Sequence, residues 1–357
     1  MKKTSIFIFF CVLLYHNNAA AQKKTSLKSD DIIKLRLMSD TLRELGAIVQ
    51  LDTLTTDSTA TRLESQASLD TLSEGWRSAA ADKIVATMKR FMRVKGSVEY
   101  DLADVKSLSC MRAADGSFRL FTWQVFLNST TYKYYGVMQF ENGKSVFLQD
   151  KSATIKSPER KKLGATNWYG ALYYNMHEYR SKGKKYYLLF GYEAIDHKRR
   201  SKIIEVLTLD GGNNITFGAP IFDMRTEEDK RREAEAAKQP KNKAFVVAKE
   251  PFHRFIMDYD KDAGVTLNFR PEMNMITFDH VVEMGGGRYI PDGDVDGLKL
   301  EGNKWALQER LFKQTQDEAP RPVPILDGSV KGVAPAGRMA MPVEALRKRT
   351  KPREAKP

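Results

Sequence analysis

The chain has 357 residues, 42% of them hydrophobic, and a formal net charge of +13 at pH 7. This hydrophobic fraction is ordinary for a chain that buries a core, so the composition excludes a wholly disordered protein. After the first 21 residues, the apolar runs have the length of strands and are far shorter than a transmembrane helix. We therefore predict that the mature chain does not span a membrane.

The first 21 residues have the order that is typical of a secretory signal peptide. Lys2 and Lys3 come first, an apolar run covers residues 6–14, and Ala19-Ala20-Ala21 precede Gln22. We expect cleavage near Ala21/Gln22 and a periplasmic protein, with outer-membrane association as an open alternative. The positive charge attracts any polyanion. Because the chain is expected to be exported, polysaccharide is a more suitable partner than nucleic acid. We do not expect the protein to bind nucleic acid.

The segment 22–95 is predicted to be helical. Apolar residues recur at steps of three and four over residues 29–49 and again over 61–93, which is the spacing of an amphipathic helix. A Thr/Ser/Asp-rich break over residues 53–59 separates the two stretches. We expect a helical hairpin that packs on itself, on the next domain or on a partner.

Over residues 96–312 the apolar spacing changes from the helical period to the strand period. Short runs rich in aromatic and β-branched residues alternate with turn pairs such as Asp115-Gly116 and Asn142-Gly143. No helix of crossover length lies between them, which favours antiparallel pairing. The predicted fold class is mainly β, α+β overall. The antiparallel domain is a sandwich, a barrel or a propeller-like arrangement, and the pattern leaves these three open.

Two segments depart from the strand pattern. Residues 226–238 read as a solvated helical insertion, in which Glu227–Arg231 and Glu228–Arg232 have the spacing of ion pairs. Residues 313–357 are rich in proline and in basic residues, a composition that predicts a disordered tail. Such a tail serves either to contact an anionic surface or simply to keep the protein soluble.

One acidic run is a candidate metal site. Asp292, Asp294 and Asp296 alternate before a glycine, as the oxygen ligands of a calcium loop do. The twelfth position of that loop requires a bidentate glutamate, and Asn303 stands there instead. Aspartate and glycine are also the ordinary residues of hairpin turns. Ca²⁺ is therefore the only cofactor that we consider, and a turn without any cofactor is the preferred interpretation.

Aromatic residues mark a candidate ligand-binding surface. Trp168, Tyr169, Tyr173 and Tyr174 lie close together in the sequence. Neighbours in a strand point to opposite faces, so a pair such as Tyr173-Tyr174 places aromatic rings on both sides of the sheet. Exposed rings of this kind suit a sugar, a peptide or a protein partner. Cross-strand packing explains the same residues without any ligand.

One cysteine remains after cleavage, Cys110, in a stretch whose alternation predicts a strand. We expect a buried, inert thiol there, although a lone thiol in an oxidising compartment could also act as a nucleophile or bridge a dimer. The sequence contains no nucleophile elbow, no phosphate-binding loop and no dinucleotide fingerprint.

Several stretches resemble a family of exported proteins of Bacteroidota whose function is uncharacterised. They are residues 114–123, 168–174, 186–192 and 297–305, and the resemblance extends over about residues 95–311. These motifs are aromatic strand and turn signatures. The resemblance implies a β-rich fold and a Gram-negative envelope, and it carries no catalytic residues.

These observations together predict a non-enzymatic periplasmic protein that binds or scaffolds an envelope component, either a protein or a polysaccharide. Two alternatives stay open. A secreted hydrolase acting on glycan or peptide would use acidic turn residues such as Asp292, Asp294 and Asp296 as its carboxylates. A carrier of an apolar ligand would need a closed barrel with a dry interior.

Overall fold

The computed structural model describes residues 28–50, 63–128, 131–196, 198–211, 214–238 and 252–312. All of them belong to one compact unit, Met1–Lys313. The predicted signal peptide at residues 1–21 and the predicted tail at residues 313–357 lie outside the described residues. The rest confirms the predicted fold class, because antiparallel sheets dominate and two helices precede them.

The described α-helices are α1 (Ser29–Gln50), α2 (Leu63–Phe91) and α3 (Glu227–Lys238). The strands, in chain order, are β1 (Ser109–Arg112), β2 (Phe118–Asn128), β3 (Thr131–Phe140), β4 (Ser145–Gln149), β5 (Leu163–Gly164), β6 (Leu172–Ser181), β7 (Lys184–Ala194), β8 (Arg199–Leu209), β9 (Ile215–Phe217), β10 (Phe222–Asp223), β11 (Phe255–Asp260), β12 (Leu267–Arg270), β13 (Met275–Glu283), β14 (Tyr289–Glu301) and β15 (Lys304–Phe312).

The strands form three sheets. The first sheet has the order β1-β2-β3-β4, and the third sheet has the order β10-β15-β14-β13-β12. The central sheet has the order β5-β9-β8-β7-β6, with β11 also paired to β8. Strand pairing is antiparallel throughout these sheets except between β10 and β15. The short polar connections account for this, because tight turns join antiparallel neighbours.

The sheets and helices stack in four layers around three apolar clusters. Helices α1 and α2 pack on one face of the first sheet. The other face of the first sheet packs on the central sheet, whose opposite face packs on the third sheet. Strand β7 shows the arrangement, since Leu189 faces the first sheet and Leu188 faces the third. The sequence pattern left a sandwich, a barrel and a propeller-like arrangement open. The structure consists of packed open sheets, because within the described residues no sheet closes on itself.

The predicted helical insertion is present as α3. Its first turn is closed by a reciprocal cap: the Asp229 backbone N–H donates to Thr226 Oγ1 (3.0 Å) and the Thr226 N–H donates to Asp229 Oδ2 (3.1 Å). The predicted pair of Glu228 with Arg232 forms. Glu227 pairs instead with Lys230, at 2.6 Å.

Cys110 corrects one prediction. It lies in a strand, β1, as expected, but its side chain is exposed rather than buried because β1 is the edge strand of the first sheet. Desolvation by the surrounding protein still raises the pKa of the thiol, against the opposing effect of Arg119 and Arg112. The thiol therefore keeps its proton at neutral pH.

None of the described helices combines the length and the apolar character that a membrane crossing requires.

A glycine in the central sheet offers a test of the packing. A Cβ atom added to Gly191 would lie 2.7 Å from Tyr173 Cδ1 and 2.9 Å from the Leu172 backbone oxygen. We expect Gly191→Ala to lower the free energy of unfolding by about 1–3 kcal/mol, since the strand must shift to admit the methyl group. Urea denaturation measures the change.

The matched control is Gly264→Ala, because no atom lies within 4 Å of the added Cβ there. The control should change the unfolding free energy by less than about 0.5 kcal/mol. Equal stability of the two variants would contradict the close approach of β6 to β7.

Candidate functional site

A buried ion pair lies on the face of the central sheet that packs against the first sheet. Arg254 Nε donates to Glu205 Oε2 at 2.9 Å, and neither side chain is exposed to solvent. The second carboxylate oxygen of Glu205 accepts the Val206 backbone N–H at 3.0 Å, and Arg254 Nη1 donates to the Pro158 carbonyl. Burial raises the pKa of Glu205, and the Arg254 guanidinium acts in the opposite direction. The pair holds the start of β11 against β8.

Gly218 leaves the room that the guanidinium occupies. Its φ is +89°, and an added Cβ would lie 2.5 Å from the Lys161 carbonyl oxygen and 3.1 Å from Arg254 Nη2. Only glycine adopts this conformation without strain while allowing both approaches. The chain turn after β9 is therefore shaped around the buried arginine.

Strand register places two further carboxyl groups in one row of the same face. Glu193 on β7 is opposite Ser201 on β8, and Ser201 is opposite Asp258 on β11. Directly opposite residues of an antiparallel sheet point to the same face. The Ser201 hydroxyl donates to Asp258 Oδ1 at 2.6 Å. Two strand spacings separate the backbones of Glu193 and Asp258, which is roughly 10 Å.

Glu193 has an incomplete set of partners. Its carboxyl group is hydrogen-bonded by the Tyr169 hydroxyl, while its Oε2 atom is buried without a partner among the described residues. Burial raises the pKa of Glu193 to about 8; Asp150 and Asp258 act in the same direction and the Tyr169 hydrogen bond opposes them. At pH 7 the group is therefore mostly a neutral acid. Only 8% of the residue surface is exposed.

Glu193, Arg254 and Asp258 line a cavity of about 910 Å³ that opens to solvent. The volume is within the range of small-molecule sites. All three sheets contribute walls, because Tyr132 comes from β3, Glu193 from β7 and Tyr289 from β14. The other aromatic side chains of the lining are Tyr134, Tyr169, Phe252 and Phe255. The cavity thus combines aromatic walls with a few convergent polar groups.

Arg254 provides a second unsatisfied group in the lining. Its Nη2 atom is buried and has no partner in the part of the chain that the structure describes. The guanidinium carbon lies 5.8 Å from the centre of the Tyr169 ring, a cation–π contact that holds the two side chains together. The lining therefore contains a carboxyl oxygen and a guanidinium nitrogen that are both buried and without a partner among the described residues.

The predicted aromatic surface is divided between the core and the cavity. Trp168 and Tyr173 are fully buried, and Trp168 Nε1 donates to the Tyr173 hydroxyl at 3.0 Å. Tyr169 lines the cavity. Tyr174 points to the other side of the sheet, where its hydroxyl donates to the Leu267 carbonyl at 2.9 Å. Of the four predicted ligand-binding residues, the structure brings only Tyr169 to the cavity.

The predicted calcium ligands lie along strand β14 and not in a loop. Asp292 bonds His280 (2.8 Å), Asp294 pairs with Arg310 (3.3 Å), and Asp296 accepts the Arg310 backbone N–H (2.8 Å). Among the described residues, no three His, Cys, Asp or Glu side chains are grouped so that they could hold a metal ion. The run makes a local turn within β14, because residues 292–294 lie opposite His280 alone, Gly293 has φ +97°, and the Asp294 N–H donates to Asp292 Oδ1 at 3.0 Å.

Sequence reasoning did not identify Glu193, Glu205 or Arg254. A usable signal exists for Glu205, because it interrupts the apolar run Ile203-Ile204-Glu205-Val206-Leu207 in the middle of a strand. A charge at such a position must be paired or functional. No comparable local signal marks Glu193, which sits at the end of its strand.

The titration of Glu193 predicts a pH dependence of stability. The folded protein holds this proton up to pH about 8, whereas an unfolded glutamate releases it near pH 4.3. Stability is therefore fully present below about pH 4.3 and decreases as the pH rises towards 8. Each pH unit in this window lowers the unfolding free energy of the wild type, relative to Glu193→Gln, by up to about 1.4 kcal/mol.

Urea denaturation of the wild type and of Glu193→Gln at pH 5, 6, 7 and 8 measures this difference. Glu272→Gln is the control, because it removes an exposed carboxyl outside the cavity and should leave the pH dependence of the wild type. Parallel curves for the wild type and Glu193→Gln would show that Glu193 ionises normally.

The chain was compared with protein-family models, with curated proteins and with solved structures, and none of the three comparisons returned a match. Function therefore has to be argued from the geometry of the cavity itself.

Proposed function

We propose that the protein binds a small hydroxylated ligand, of the saccharide class, in the cavity at the end of the central sheet. The observation that carries the proposal is the buried Glu193 carboxyl, whose Oε2 atom has no partner among the described residues. A buried polar group without a partner costs about 1–3 kcal/mol. A ligand that completes its hydrogen bonds removes that cost.

The polar groups of the lining suit hydroxyl groups. A hydroxyl both donates and accepts, so it can accept from the protonated Glu193 or from Arg254 and donate to Asp258. The aromatic walls supply flat apolar faces, with Tyr132 and Tyr289 on opposite sheets. A sugar ring has an apolar C–H face and a polar edge, which is the combination that this lining complements.

The location and the wider role belong to the same proposal. The signal-like residues 1–21, the resemblance to exported Bacteroidota proteins and the positive charge support a periplasmic protein of the Gram-negative envelope. There it binds or scaffolds a polysaccharide component. The basic residues 313–357 would add contact with an anionic surface.

An apolar ligand fits the cavity less well. It would leave Glu193, Asp258 and Arg254 facing a surface that offers no hydrogen bonds, and each such group costs free energy. The hydroxylated ligand satisfies the same three groups. We therefore propose the saccharide and not an apolar molecule.

Ligand titration tests the proposal. Isothermal calorimetry with glucose, galactose, N-acetylglucosamine and their β-1,4-linked disaccharides should detect binding of at least one, with Kd of about 1 mM or tighter. Tyr289→Ala should weaken that binding by roughly 10-fold because it removes one aromatic wall.

Tyr174→Ala is the matched control. It removes an equally large tyrosine from the opposite face of the central sheet, outside the lining, so affinity should stay within about 2-fold of the wild type. Absence of binding by every sugar, or equal effects of the two variants, would contradict a saccharide site in this cavity.

A further inference from the structure

We propose that the cavity hydrolyses a glycosidic bond, with Glu193 as the general acid and Asp258 as the general base. The inference rests on the proposed function, because the substrate is the saccharide that the cavity binds. It goes beyond that function by assigning a reaction to two named residues.

The arrangement of the two carboxyl groups supports the reaction. They lie in one row on strands that flank β8, and they point to the same face because each is directly opposite Ser201. Their backbones are roughly 10 Å apart, as two strand spacings require. A backbone separation of this size is compatible with the about 6.5–9.5 Å between the carboxyl groups of inverting glycoside hydrolases, which leaves space for a water molecule beside the sugar.

The two carboxyl groups have different environments. Glu193 is only 8% exposed, whereas Asp258 is half-buried on a strand that borders the cavity. Burial raises the pKa of Glu193 to about 8, so it carries a proton at neutral pH. Solvent reaches Asp258, as a base that activates water requires. Contrasting environments of this kind are how glycosidases separate the two roles.

Other acidic groups near the cavity are already engaged. Both oxygens of Glu205 have partners and the side chain is inaccessible. Asp150 accepts from the backbone N–H groups of Ser152 and Tyr134 at 2.9 and 3.0 Å. Glu159, which also lines the cavity, pairs with Arg160 at 3.8 Å. Asp258 uses Oδ1 for the Ser201 hydroxyl, which leaves Oδ2 to accept a proton from water. Glu193 and Asp258 are therefore the two carboxyl groups of this face suited to proton transfer.

Two neighbours position the acid. The Tyr169 hydroxyl is bonded to the Glu193 carboxyl and keeps its Oε2 atom directed away from that bond. The Arg254 guanidinium lies 5.8 Å from the centre of the Tyr169 ring and supports it from within the protein. Both are positioning residues, since neither exchanges a proton in the reaction.

The reaction balances with water as the co-reactant. Glu193 gives its proton to the glycosidic oxygen as the bond from that oxygen to the anomeric carbon breaks. Asp258 takes a proton from water, and the water oxygen forms a bond to the anomeric carbon from the opposite face. The products are two free sugars, or a sugar and an alcohol, with inverted anomeric configuration. Glu193 regains a proton from solvent and Asp258 releases one.

The test uses the full mature chain and the 4-nitrophenyl glycoside of whichever sugar binds in the calorimetric titration. The wild type should hydrolyse it, and Glu193→Gln and Asp258→Asn should each lower kcat by at least ~100-fold. Binding of the parent disaccharide should change by less than about 10-fold in both variants. Glu272→Gln, which alters an exposed carboxyl outside the cavity, should retain wild-type kcat.

Leaving-group dependence separates catalysis from a structural effect. A 2,4-dinitrophenyl glycoside needs little protonation to depart, so it should restore most of the activity of Glu193→Gln and none of the activity of Asp258→Asn. Proton NMR of the first-formed sugar should show inversion. The wild-type rate should fall as the pH rises through about 8, the pKa of Glu193.

The outcomes distinguish the two proposals. Saccharide binding without hydrolysis, retention of configuration, or no selective recovery of Glu193→Gln would overturn the catalytic assignment and leave the binding function intact. Failure of every sugar to bind would overturn both. Should Asp258→Asn fail to fold by circular dichroism, the pH profile and the leaving-group series of Glu193→Gln decide the assignment.

Discussion

The structure depends on the buried ion pair between Glu205 and Arg254, which lets a sheet with two packed faces carry charge. Removing one partner from such a pair costs about 3–5 kcal/mol, because the other charge remains buried and uncompensated. The pair fixes β11 beside β8, since Arg254 directly precedes β11 and Glu205 lies within β8. This placement brings Asp258 opposite Ser201 and into the row of Glu193. The geometry of the cavity is thus a consequence of the ion pair.

A second buried arginine makes a similar connection on the other side of the first sheet. Arg119 is 2% exposed; its Nε donates to Gln139 Oε1 (2.9 Å), its Nη1 donates to the Tyr100 carbonyl (2.7 Å), and its Nη2 donates to the Ser97 carbonyl. Desolvation lowers the pKa of Arg119 to about 10, so the group stays charged at neutral pH. It ties the segment after α2 to the first sheet without any carboxylate. One buried guanidinium thus joins the helical segment to the first sheet, and the other joins two strands within the central sheet.

The local elements could be predicted from the sequence, whereas the cavity could not. Asp115-Gly116 and Asn142-Gly143 form turns in which both glycines have positive φ, as their residue types indicate. Glu193, Ser201 and Asp258 meet only through the register of three strands, one of which is distant in the sequence, and no short motif encodes that register. The run Asp292, Asp294, Asp296 was ambiguous for a physical reason, because alternation by two residues describes both a metal loop and one face of a strand. The alternation around Cys110 likewise indicated a strand without showing that it is an edge.

Burying the polar groups of the cavity lining costs free energy of folding that packing alone does not require. An apolar residue at position 193 would avoid the desolvation of a carboxyl group, and an apolar residue at position 254 would avoid the burial of a guanidinium. Among the described residues, Glu193 and Arg254 each keep one buried atom without a partner, and both side chains border the same cavity. Buried atoms of this kind also occur in the core, for example Trp123 Nε1 and Trp305 Nε1, but those side chains do not border the cavity. A ligand that accepts from one group and bonds the other gives a reason for both, which is why the cavity and not the aromatic surface is the functional candidate.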